Sequence, residues 1–91
     1  MTLARVAFGK AGEDLACQEL ERRGYAVLAR RYRNRLGELD IVARDGPTIV
    51  FVEVKARAGH EFGAGGEAVT ALKRRRMINV ALDYLARHHL F

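Results

Sequence analysis

The spacing of apolar residues divides the chain into five segments. From about Leu3 to Arg23, a turn of 100° per residue gathers Val6, Gly9, Glu13, Ala16, Cys17 and Leu20 on one face. Lys10, Asp14, Gln18 and Arg22 lie away from it. This pattern predicts an amphipathic helix stopped by Gly24. It also sets one carboxylate, Glu13, in the middle of an apolar stripe. Ala26 to Tyr32 reads as a short strand and Arg33 to Gly37 as a loop. Glu38 to Arg44 and Thr48 to Arg57 are β-branched runs around Asp45-Gly46-Pro47, which predicts a hairpin. Gly59 to Gly66 is a glycine-rich connection. Thr70 to His88 reads as a second helix, its apolar stripe supplied by Leu72, Ile78, Ala81, Leu82 and Leu85. The order α-β-β-β-α predicts an α/β (α+β mixed) fold, with helices packed on a small mixed sheet. The 91 residues are expected to form a single domain, 1–91.

The hairpin carries the candidate chemistry. In an antiparallel pair, facing positions have a constant sum. A two-residue loop at Gly46-Pro47 pairs Asp45 with Thr48 and sets that sum. Asp40 then faces Glu53 on one side of the sheet, their Cβ atoms roughly 4.5–5.5 Å apart. Lys55 projects from the same side, opposite Glu38. Leu39, Ile41, Val50, Val52 and Val54 are assigned to the other side. Facing carboxylates repel each other, and a divalent cation between them would remove the penalty. Carboxylates with room left for water and a substrate phosphate are how Mg²⁺ is held. Lys55 would then pair with phosphate or promote the ionisation of an attacking water. Glu13, which also needs a partner if it is buried, would join the same cluster. A solvated hairpin face with weak cross-strand charge pairs is the plainer alternative.

Charge sharpens this reading. Sixteen basic residues stand against eleven acidic ones, for a net +5, and thirteen of the sixteen are arginine. Between Arg22 and Arg35 lie six arginines and no acid, and Lys73-Arg74-Arg75-Arg76 opens the last helix. The guanidinium fork suits phosphate, so Arg31, Arg33, Arg35, Arg57, Lys73 and Arg76 are candidate nucleic-acid contacts. Tyr25 and Tyr32 are expected to pack in the core rather than stack on bases. The arginine preference of a GC-rich genome is the plainer source of the bias. A single cysteine, Cys17, excludes an internal disulfide and a four-thiolate zinc site, and is expected to be a core residue. The chain has no serine, which excludes a serine nucleophile. His60 is a lone loop histidine, and the adjacent His88 and His89 cannot face one ion together. No stretch approaches the ~18–20 apolar residues of a membrane helix, so no membrane partner and a cytoplasmic location are expected.

Gly37-Glu38-Leu39-Asp40-Ile41-Val42 followed by Phe51-Val52-Glu53-Val54-Lys55-Ala56-Arg57 resembles the D…(E/D)-x-K signature of the PD-(D/E)XK nucleases. More narrowly, the chain resembles the bacterial YraN-like family of endonuclease-like proteins, which are similar to Holliday-junction resolvases. The likeness starts at Gly9-Lys10-Ala11-Gly12-Glu13. It runs through Gly24-Tyr25, Arg31-Tyr32-Arg33 and Phe62-Gly63 to Val69, Lys73, Ala81 and Tyr84-Leu85. It implies a restriction-endonuclease-like core, with Asp40 and Glu53 as metal ligands and Lys55 as the catalytic lysine. Glu13 matches an acid on the first helix. Leu39 stands where the superfamily's proline would precede Asp40. The family usually continues past the second helix into another strand that is not found before Phe91: either the tail is missing from this sequence, or the sheet edge is left open or covered by a partner.

The expected function is thus a Mg²⁺- or Mn²⁺-dependent endonuclease acting on DNA, with branched or Holliday-junction DNA as the family-level substrate. A C₂ homodimer follows if two strands are cut together. Two other readings remain open. One is a non-catalytic nucleic-acid-binding module on a nuclease scaffold. The other is an assembly factor that offers its basic face to an acidic protein.

Overall fold

A computed structural model describes residues 1–8, 12–56 and 71–89, with the backbone alone at 5–8, 55 and 56. The elements are β1 (Thr2–Phe8), α1 (Gly12–Arg22), β2 (Ala26–Asn34), β3 (Gly37–Asp45), β4 (Thr48–Ala56) and α2 (Ala71–Arg87). Gly46 has a φ of 59°, and proline fixes the φ of Pro47 near −65°. Together these make the type II′ geometry that favours a two-residue hairpin. Asp45 pairs with Thr48, and the register continues through Arg44–Ile49, Ala43–Val50 and Val42–Phe51 to Ile41–Val52. The hairpin and its register are those the sequence predicts. β2 pairs antiparallel with β3, and the four strands form a mixed sheet in the order β1-β4-β3-β2.

The N-terminal segment departs from expectation. Residues 2–8 form a strand parallel to β4, from Thr2 beside Val50 to Phe8 beside Ala56, rather than the first turns of a helix. The helix itself begins at Gly12. Leu-Ala-Arg-Val-Ala-Phe satisfies a period of two as well as 3.6, and Val6 and Phe8 favour extended backbone. Pairing along the edge of β4 then decides between the two. The second helix falls where predicted, but its buried stripe is Met77, Val80, Ala81, Tyr84 and Leu85. Those positions follow an unbroken i, i+3, i+4, i+7, i+8 series, whereas Leu72 and Leu82 stay 54% and 42% exposed.

One helix covers each face of the sheet. On one side Ala16 and Cys17 of α1 pack on Ile41, Ala43, Val50 and Val52, with Leu20, Tyr25 and Val27 at the margin. On the other, α2 packs on Leu39, Val42, Ile49 and Phe51. Tyr84 anchors this second cluster, its ring edge-on to Tyr32 at 5.1 Å and to Phe51 at 5.9 Å. Cys17 is buried and both Tyr25 and Tyr32 pack against core, as the sequence suggests. Among the described residues no polar or charged side chain is fully buried. No described helix is long and apolar enough to cross a membrane.

Strict alternation fails at one place. Leu39 and Val42 lie in the same cluster although three residues apart, with Ile41 in the opposite one, so Leu39 does not share a side with Ile41 as the pattern implied. The partner strand does the same: Ala29 and Tyr32 both pack on the α2 side. Arg31, between them, has a φ of 54°. A non-glycine residue in that region turns the backbone far enough to exchange the faces of the residues around it.

Gly37 opens β3 with a φ of 147°, and a Cβ there would lie 3.3 Å from Cγ2 of Val80. Gly37→Ala is therefore expected to lower the unfolding free energy by about 1–3 kcal/mol, read by urea titration. An unchanged midpoint would show that this backbone conformation is not required.

Candidate functional site

Asp40 sits where the alternation breaks. The β3–β4 ladder ends at Ile41–Val52, one pair short of the expected Asp40–Glu53 contact. In its place the Val54 N–H donates to Oδ2 of Asp40 at 2.7 Å. The carboxylate thus stands in for a strand carbonyl at the point where the hairpin opens. Burial pushes the pKa of Asp40 up, while the Val54 N–H pulls it down. The charges of Glu53, Glu13 and Glu38 add to the upward push. Asp40 therefore lies in the field of three other acids at this end of the sheet.

Each of the others has its own cationic partner. Glu53 lies on the α2 side, its Oε2 3.0 Å from Nζ of Lys73, with the Glu53 side chain only 17% exposed. Glu13 lies on the α1 side, equally half-buried, and accepts from Arg30 at 2.8 Å and from Arg31 at 3.2 Å. Glu38 accepts from Arg33 at 3.1 Å. An apolar-face carboxylate on the first helix is thus found as predicted, but two guanidinium groups satisfy it. Arg30 also binds Asp14, and these two acids drive the Arg30 pKa upward. Among the described residues no group of three or more His, Cys, Asp or Glu side chains lies close enough to hold an ion.

An open cavity of about 450 Å³ adjoins Glu53, lined by Gly37, Glu38, Lys73, Arg76, Met77 and Val80. Its walls combine two carboxylates, two cations and an apolar floor. Carboxylate oxygens are the donors a hard divalent cation takes, and Glu38 and Glu53 supply them here beside Lys73 and Arg76. Burial and like charge oppose the ionisation of Asp40, a cost that a positive ion would offset. Asp40 and Glu53 would hold such an ion, with Glu13 behind them.

The other expected residues are distributed as follows. Lys55 falls two positions past Glu53 on β4, its side chain outside the described residues. Arg57, His60, Phe62-Gly63, the Gly59 to Gly66 connection and Val69 also lie outside them. Arg31 and Arg33 are exposed but engaged with Glu13 and Glu38, and Lys73 with Glu53. Arg35 is exposed at the β2–β3 turn, and Arg76 is exposed on α2 beside the cavity. Sequence reasoning missed Asp83. Its Oδ2 accepts from Tyr32 Oη at 3.1 Å, Asn34 Nδ2 at 2.7 Å and Arg87 Nε at 2.9 Å, which ties the end of β2 to α2. The Asp83–Arg87 spacing on a helix was the available signal. Nothing local pointed to Tyr32 and Asn34.

The fold and this site define a small α/β domain with a carboxylate-bearing strand end beneath a basic helix. The chain belongs to the UPF0102 family: residues 12–91 match the family described as "Uncharacterised protein family UPF0102". It is 52% identical over 79 residues to a UPF0102 protein of Symbiobacterium thermophilum, covering 87% of this chain and 67% of the relative. To a UPF0102 protein of Geobacter metallireducens it is 49% identical over 87 residues, covering 96% and 71%. To one of Roseiflexus castenholzii it is 47% identical over 90 residues, covering 99% and 73%. The family is the one to which the YraN-like motifs pointed, and the chain spans about two thirds to three quarters of these curated relatives.

Burial raises the pKa of Asp83, but the donors Asn34, Arg87 and Tyr32 outweigh it and hold the carboxyl below its ordinary value. A carboxyl lowered on folding stabilises above its unfolded pKa of ~3.9 and loses that contribution as pH falls below it. Asp83→Asn should therefore melt below the wild type at pH 7. The gap should close as pH drops below about 4, read by thermal melts across pH. A gap that persists unchanged into acid would show that charge is not the cause.

Proposed function

We propose that this chain is the core of a metal-dependent nuclease that hydrolyses phosphodiester bonds in DNA, with branched DNA as the favoured substrate. The observation that carries the reading is half-buried Asp40. It is fixed by a backbone amide amid three further carboxylates, with Lys73 and Arg76 beside the adjoining cavity. Structural ion pairs alone do not account for an acid held where its ionisation is opposed.

In this reading Asp40 and Glu53 furnish the oxygen ligands for Mg²⁺ or Mn²⁺. A divalent cation bound there supplies charge neutralisation at the scissile phosphate and acidification of water. Glu13, held by Arg30 and Arg31, keeps a fixed negative charge behind Asp40. Lys73 and Arg76 draw the phosphate into the cavity, Lys73 exchanging Glu53 for the substrate oxygen. Lys55 is assigned the activation of the attacking water by its place in the Glu-x-Lys motif. Arg31, Arg33 and Arg35 lie exposed around β2 and its turn, and for Arg31 and Arg33 the exchange of a carboxylate for a phosphate partner costs little. Cleavage of paired strands in a junction would require a C₂ dimer.

A second reading is supported by the pairing of Glu53 with Lys73 and of Glu13 with arginines. Carboxylates satisfied without an ion also suit a nucleic-acid-binding module that does not cut. The two part in one assay. Four-way, flap and linear DNA are incubated with the protein and Mg²⁺, Mn²⁺ or EDTA. Metal-dependent cutting is expected, reduced at least about a hundredfold in Glu53→Gln and Asp40→Asn, the scale on which loss of a transition-state contact is felt. Cutting that survives both substitutions would remove the site assignment. Binding without cutting by any metal would establish the module.

A further inference from the structure

The opposite end of α2 carries a second basic recess that the reaction centre does not use. The β2–β3 turn and the last turns of α2 enclose an open cavity of about 450 Å³, lined by Arg33, Arg35, Arg87 and His88 together with Asn34 and Asp83. Three guanidinium groups face one carboxylate there. That carboxylate is already engaged, since Asp83 accepts from Tyr32, Asn34 and Arg87. Arg87 reaches Asp83 through Nε, and Arg33 reaches Glu38 through a single terminal nitrogen. Arg35 makes no ion pair among the described residues. The recess thus holds more donors than its own acid can satisfy.

It is also rigidly built. The Leu36 N–H donates to Oδ1 of Asn34 at 2.8 Å, which closes the turn, and Nδ2 of the same Asn34 is anchored on Asp83. The arginines at the turn are therefore held at a set distance from α2. Arg76, Asp83 and Arg87 are spaced by seven and four residues, so they follow one face of the helix. Arg76 borders the cavity beside Glu53, and Arg87 borders this one. Eleven residues of helix separate them by roughly 16 Å. That is far enough for the two recesses to meet different phosphates of one strand. The Arg33–Glu38 pair bridges the interval, with Glu38 on the first cavity and Arg33 on the second.

We propose that this recess is a second phosphate-binding station. One nucleic-acid strand would run along α2, with one phosphate at the Lys73–Arg76 end and another, further along the strand, gripped by Arg35 and Arg87. The inference rests on the phosphodiester reading of the first cavity. It adds a direction to the bound strand and a minimum length to the substrate.

Fluorescence anisotropy in EDTA, with no cutting involved, tests it on labelled single-stranded DNA, a dinucleotide and an octanucleotide, over a range of salt. Arg35 is exposed and unpaired among the described residues, so Arg35→Glu should melt like the wild type. It is expected to weaken the octanucleotide about tenfold and to reduce the salt slope by about one, while leaving the dinucleotide unchanged. Arg44→Glu, the same charge change at an exposed position on the far half of β3, should do neither. Unchanged octanucleotide binding in Arg35→Glu overturns the station, as does an equal loss in Arg44→Glu, which would mean diffuse attraction. Wild-type protein that binds neither oligonucleotide overturns it as well. Cutting that depends on Glu53, beside an indifferent Arg35→Glu, removes this inference alone. Arg35-dependent binding without cutting removes the hydrolase and keeps the station.

Discussion

The hydrogen bond from the Val54 amide to the Asp40 carboxylate is the contact on which the site end of the molecule depends. A ladder amide that loses its carbonyl must find another acceptor or bear the cost of burial. Asp40 supplies that acceptor, and so permits β3 and β4 to part just beyond Ile41–Val52. The opening lets Leu39 turn toward α2 while Ile41 stays under α1. On the neighbouring strand the positive φ of Arg31 accommodates the same exchange of faces, opposite Asp40 in the β2–β3 register. The result is a half-buried acid with a cleft beside it in an otherwise regular sheet. An aspartate that serves as backbone acceptor cannot rotate freely, so its second oxygen is presented at a fixed place.

Electrostatics organises the rest of the surface around this acid. The net +5 gives the impression of free cations, yet six of the described arginines have a carboxylate partner. Arg30 and Arg31 hold Glu13, Arg33 holds Glu38, Arg87 holds Asp83, and Arg22 and Arg23 share Glu19. That last pairing draws the Glu19 pKa down to about 2. Such exposed pairs contribute little to stability. They are consequently easy to exchange when a stronger, multiply charged anion arrives, and the partly shared guanidinium groups need little rearrangement to meet it. A sequence census of basic residues counts the cations but not their partners.

What the sequence makes legible is what depends on local chemistry. The Gly46-Pro47 turn sets the register as far as Ile41–Val52, one pair short of Asp40 and Glu53. The second helix and its ends follow from unbroken periodicity. Glu13 was visible as a charge in an apolar stripe, and it does lie against the sheet. Three features escaped because they are settled by contacts distant in sequence. The run from Leu3 to Phe8 fits two periods, and the edge of β4 selects the strand. The phase of the α2 stripe is chosen by Phe51 and Leu39 beneath it rather than by Leu72 and Leu82. The displacement at Asp40 arises from a break in pleat that no alternation rule contains. The same break decides which acids meet, so the carboxylate partners were less legible than the carboxylates themselves.

The Glu53–Lys73 pair links these lines of argument. Glu53 is largely enclosed and repels the charge of Asp40, which would oppose folding if each charge stood alone. An ammonium from the first turn of α2 offsets that repulsion and brings the helix down over Phe51 and Val42 at the same time. Any cation that takes up Glu53 must compete with a tethered lysine, and the lysine it displaces is left at the mouth of the cavity. There it gains nothing from water that a phosphate oxygen would not supply better. If the proposed reading holds, occupation of the carboxylates and capture of an anion would be coupled through one side chain, because an ion on Glu53 would displace the Lys73 that then meets the substrate.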